Sequence, residues 1–154
     1  MDDTLGKNGA EVAPQASSKS RQNENLTARW QVLLESAVRL DWECRTGEAL
    51  EVGEAAYEAA LEAGDVAGAL HASHRLALIH FNKESLAEGL KICIRAETWL
   101  RYCQDQAAII SLQSIHGGLL VALGDLETGF ALLTRPPPKV WIMRRRAVWQ
   151  KAPC

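Results

Sequence analysis

His71 and His74 stand three residues apart, a spacing that brings two imidazoles to one face of a helix, where they could ligate a metal with Asp65 or His80 as a third ligand. Metal centres need three or four convergent ligands with supporting hydrogen bonds, so a polar surface pair is the simpler account and no metal is expected. His80 and His116 sit among apolar residues and read as core imidazoles with one satisfied nitrogen. Glu48, Glu51, Glu54, Glu58 and Glu62 line up at helical spacing; paired catalytic carboxylates need a pocket, and a solvated helix face explains this row without one. Cys44, Cys93, Cys103 and Cys154 form no C-x-x-C pair and no dense framework, so they read as reduced thiols, Cys93 and Cys103 as small buried hydrophobes on one helix. Arg144, Arg145 and Arg146 between Trp141 and Trp149 could hold phosphates, yet the preceding run of three prolines and the lack of amphipathic order build no surface for them. A nucleic-acid partner is therefore not expected. No phosphate-binding glycine loop, dinucleotide fingerprint, zincin motif or nucleophile elbow is present, so neither catalytic residues nor a cofactor are expected.

The elements that carry these residues follow from periodicity. Apolar side chains three and four apart begin near Leu26 and set a first helix over about Thr27 to Cys44, which Thr46-Gly47 interrupts. A second helix runs over Glu48 to Ala63, with Gly64 past its end. Asp65 caps a third, ending near Asn82; Glu84 or Ser85 starts a fourth, expected to be the longest and to reach Cys103. Asp105 opens a fifth, to about Leu123, and Gly124-Asp125 turns the chain into a sixth. Residues 1–25 have almost no large apolar side chains and read as a disordered tail. Pro136-Pro137-Pro138 ends the sixth helix, and 135–154 read as an irregular Pro- and Arg-rich tail, natural or produced by a shift of reading frame.

Composition fits one soluble domain: 154 residues, 47% hydrophobic, 23% charged, net charge −2. From Arg135 onward every charged residue is basic; setting those six aside leaves 11 basic against 19 acidic residues in the body. The absence of a signal-peptide core or of an apolar run of roughly 18 residues argues for a cytoplasmic protein without a membrane span.

A repeat organises the helices. Ala49, Gly89 and Gly129 are 40 residues apart, as are Ala37, Ala77 and Gly117, and so are Ala56 and Ala96. Small residues recurring at a fixed offset place close helix crossings at equivalent points of stacked hairpins. The expected architecture is all-α, with antiparallel helical hairpins over 26–134 stacked in about three repeats, the last incomplete.

Ile115 to Phe130 carries a small residue, Gly117, then Leu120, the turn Gly124-Asp125, and a second small residue, Gly129. In this it resembles the tetratricopeptide repeat (TPR), in the longer-period form found ahead of bacterial signalling domains. Ala77, His80, Glu84-Ser85 and Gly89 match the same pattern, as do Ala37, Leu40, Cys44-Arg45 and Ala49. The family's helix A tryptophan is replaced by Leu33, Ser73 and Gln113, its junction proline is missing, and the period exceeds the usual ~34 residues. The resemblance implies a short TPR-like α-solenoid acting as a non-catalytic scaffold for a peptide or helix of a partner protein, with His74, Arg75, Asn82 and Gln113 on the binding face. The alternative is the N-terminal sensory or dimerising region of a bacterial signalling protein such as a diguanylate cyclase. Ile109, Leu112 and Leu119 of the fifth helix are expected to be exposed, inviting a homodimer through the open C-terminal end of the stack.

Overall fold

The computed structural model of the chain describes residues 15–135. Six helices follow one another: α1 (Gln15–Trp42), α2 (Thr46–Glu62), α3 (Val66–Asn82), α4 (Leu86–Leu100), α5 (Gln106–Ala122) and α6 (Leu126–Leu133). Among the described residues there is no strand. The expected tails fall partly outside this range: residues 1–14 and 136–154 lie beyond the described residues, whereas 15–25 belong to α1 rather than to a tail. Gln, Lys, Arg, Ala and Glu are good helix formers, and extending an existing helix adds a hydrogen bond for every residue fixed. That extension makes α1 the longest helix, at 28 residues; α4, expected to be longest, stops at Leu100 with 15.

Helices α2 to α6 begin at Thr46, Val66, Leu86, Gln106 and Leu126, 20 residues apart each time. Four of the five joints share one turn. Each of α1, α2, α3 and α5 ends with a residue at positive φ, namely Cys44, Gly64, Glu84 and Gly124. The next amide donates back five residues, Arg45 to Leu40, Asp65 to Ala60, Ser85 to His80 and Asp125 to Leu120, at 2.9 Å in every case. These are Schellman closures, which satisfy orphan carbonyls while reversing the chain. The first break is therefore at Cys44-Arg45, and Thr46-Gly47 already lies inside α2. Side-chain caps start three of the helices: Asp65 accepts from the Gly68 amide, Asp105 from Ala107 and Ala108, and Asp125 from Thr128.

Consecutive helices pack as antiparallel hairpins, and the first helices of the pairs also touch, α1 with α3 and α3 with α5. The small residues sit where the pairs cross. Ala37, Ala49, Ala56, Ala77 and Ala96 are fully buried, and Gly89, Gly117 and Gly129 are buried as well. A methyl at Gly129 would stand 2.9 Å from the Gly117 carbonyl oxygen and 3.0 Å from the Val121 amide nitrogen; one at Gly89 would stand 3.3 Å from the Ala77 carbonyl oxygen. Larger residues fill the space between hairpins: Leu70, Leu76, Ile92, Cys93, Ile109, Leu112, Ile115 and Leu119 form the main core. Ile109, Leu112 and Leu119 are thus buried, contrary to expectation, because α3 and α4 cover that side of α5.

Two sets of substitutions test these constraints. Cys44→Gly and Glu84→Gly relieve a left-handed conformation costly to L-residues, and each is expected to stabilise the fold by about 0.5–1 kcal/mol in urea unfolding. Gly129→Ala forces the last hairpin apart and is expected to cost about 1–3 kcal/mol. Gly118→Ala, where a methyl meets nothing within 4 Å, is expected to be neutral or stabilising by up to about 1 kcal/mol.

Candidate functional site

The polar side chains proposed for partner binding sit on the first helices of the second and third hairpins. On α3, His74 and Arg75 are half-buried and Asn82 is exposed; on α5, Gln113 is half-buried. The opposite side of α3, through Ala69, Leu70, Ala72, Leu76 and Ile79, is fully enclosed. His71, His74, Arg75 and Leu78 therefore occupy the part of α3 that the core leaves partly open. Because α3 lies between α1 and α5, the strip is flanked by both of these helices, which carry half-open or exposed positions of their own, among them Val38 and Arg39 on α1 and Ser111 and Ser114 on α5. Burial, then the cations Arg75 and His71, holds His74 below the ordinary imidazole range.

The four histidines part company. His71 turns its Nε2 to Asp105 Oδ2 at 3.8 Å, so it faces the start of α5. Asp65 is committed elsewhere: Oδ1 caps α3 and Oδ2 accepts from Trp30 Nε1 at 3.0 Å. Among the described residues, no group of three or more His, Cys, Asp or Glu is arranged to hold a metal ion. His80 is half-buried rather than a core residue, since it occupies the last turn of α3, beside the turn into α4. His116 is the buried imidazole, 8% exposed, with Nδ1 3.0 Å from Glu97 Oε1 across the α4–α5 contact.

The glutamate row of α2 is exposed at Glu48, Glu51, Glu58 and Glu62 and half-exposed at Glu54. Arg45 donates to Glu48 and holds its carboxyl below the usual range. Glu54 accepts both guanidinium nitrogens of Arg95 at 3.0 and 3.1 Å, while Arg95 lies 4.2 Å from the centre of the Tyr57 ring. Trp99 Nε1 donates to the Tyr57 hydroxyl at 3.1 Å, completing a bridge between α2 and α4. Sequence reading missed this bridge and the Trp30–Asp65 bond. The Trp30 ring lies directly on Gly68, where a methyl would come within 2.6 Å of the indole.

One open cleft of about 420 Å³ lies between the α2–α3 turn and the α4–α5 loop, lined by Gly64, Asp65, Ala67, Tyr102, Cys103 and Asp105. Cys103 belongs to this loop and not to α4, with its thiol directed to the Asp105 carbonyl oxygen at 3.6 Å. Burial raises its pKa, and burial with Glu97 nearby pushes Cys93 up to about 12. Cys44 is exposed. No helix among the described residues is long and apolar enough to cross a membrane. Comparison with protein-family models, curated proteins and solved structures gave no match.

Two outcomes follow. Alkylation of the native protein, mapped by peptide mass spectrometry, is expected to label Cys44 and spare Cys93 until unfolding, since only thiolate reacts and burial suppresses it. The fold lowers the pKa of His74, so its contribution to stability is complete above the unfolded value of about 6.5 and is lost as pH falls below that value and through the folded one. His74→Gln is therefore expected to flatten the fall of the melting temperature between pH 7 and pH 5.

Proposed function

We propose that this chain is a non-catalytic scaffold of the tetratricopeptide type, whose α3–α5 face takes a peptide or helix of a partner protein. The observation that carries the reading is the contact of first helices with one another, which sets His74, Arg75, Asn82 and Gln113 on neighbouring rods. A groove formed by parallel rods of this kind offers both polar contacts and the half-buried Leu78 to an extended or helical ligand. The recurrence of small residues and a turn at equivalent positions of each unit supports the resemblance to the family. A second reading, the front part of a bacterial signalling protein, is favoured by the exposed apolar side chains of α6; a cyclase-like reading frame after the codon for Leu133 would establish it.

Chemical-shift mapping tests the first reading. Peptides selected from a displayed library are expected to shift α3 and α5 amides around Arg75 and Gln113, and Arg75→Ala with Gln113→Ala to weaken binding about tenfold or more. Shifts confined to the outer α2–α4 bridge would sink it.

A further inference from the structure

The charges of this protein are sorted by helix. Helix α2 carries five glutamates and no Lys or Arg, and α6 carries Glu127 alone. Helix α5 has no Asp, Glu, Lys or Arg along its length. Among the described helices, α3 is the one that holds a base, Arg75, without any Asp or Glu. His71, His74 and His80 lie on it as well. In a chain with 19 acidic residues, the rod at the centre of the proposed binding face is thus free of carboxylates.

His71, His74, Arg75 and Leu78 follow the i, i+3, i+4, i+7 spacing that forms one stripe of a helix, and all four are half-buried. His71 faces a carboxylate, Asp105 at the start of α5. Arg75 does not: among the described residues it enters no ion pair, whereas the more open Arg45 and Arg95 are both paired, with Glu48 and Glu54. A cation partly withdrawn from water without a counter-ion is costly. The same excess of positive charge reaches His74, where burial, then Arg75 and His71, disfavour the imidazolium. An incoming carboxylate would relieve both.

We infer, on the reading that the α3–α5 face seats a ligand, that this ligand is an acidic peptide segment, with an Asp or Glu side chain paired to Arg75 and an apolar neighbour resting on Leu78. The planar guanidinium can fork two hydrogen bonds to one carboxylate, which fixes the register of the segment. The same carboxylate brings a negative charge beside His74 and favours its protonated form, so the complex takes up a proton and affinity rises as pH falls. The carboxylates of the ligand, which titrate near about 4, stay ionised through that range.

Calorimetric titration of the full chain tests this with two peptides, both acetylated and amidated so that no terminal charge contributes. One carries Glu and Leu at helical spacing, and the other has Gln in place of every Glu. The acidic peptide is expected to bind about tenfold more tightly. Arg75→Gln is expected to erase that preference while the melting temperature falls no lower than in the parent. From pH 7 to pH 6 the preference is expected to grow about threefold, and His74→Gln to abolish this growth. Equal affinity for the two peptides, with amide shifts in α3 and α5, would overturn the inference and leave the scaffold reading standing. A preference that survives Arg75→Gln would overturn it too, giving the attraction to other cations such as Arg144, Arg145 and Arg146. An absence of α3 and α5 shifts with these peptides and with library-selected ones would remove both readings.

Discussion

Every hairpin of this protein depends on two backbones approaching where nothing larger than a methyl intervenes. The pairs Ala37–Ala49, Ala77–Gly89 and Gly117–Gly129 recur with the same internal spacing of 12 residues, and at Gly129 the gap is too small even for a methyl. Close packing at that point brings the first and second helix of each pair near enough for larger residues to interlock on either side. The Schellman closures then fix where each helix must stop, so the crossing and the turn together determine the 40-residue unit.

Much of this was legible in the chain. Three small-residue columns gave the period, Asp65 and Asp105 gave two helix starts, and Gly124 gave a turn, because each of those residues has one dominant physical use. The early start of α1 was not legible, since polar helix formers such as Gln15 and Lys19 carry no apolar stripe to reveal their state. The left-handed backbone at Cys44 and Glu84 was hidden for another reason: neither residue type favours positive φ, and the hydrogen-bonded closure imposes it. Ile109, Leu112 and Leu119 were misplaced because the incomplete last repeat suggested that α5 was terminal, whereas α3 and α4 already enclose it.

Side-chain recognition across repeats was the least visible layer. Glu54–Arg95 and Tyr57–Trp99 are 41 and 42 residues apart, close to the period without matching it, so no column search aligns them. They show that the second helices are tied by long side chains while the first helices meet directly, which leaves the half-open strip of α3 beside α1 and α5. The candidate binding residues divide along the same lines: His74, Arg75 and Gln113 are partly enclosed, so they would be held in place before any ligand arrives.

One joint differs from the rest. Between α4 and α5 the chain runs from Arg101 to Asp105 without a left-handed residue and without the five-back hydrogen bond, and these two helices approach each other at fewer points than any other consecutive pair. In a stack whose units communicate only with their neighbours, α5 is held here by α3 as well as by α4. The seam between the last two hairpins is therefore closed by the packing of Leu70, Leu112 and Leu119 rather than by a hydrogen-bonded turn, and Tyr102 is left exposed at its edge.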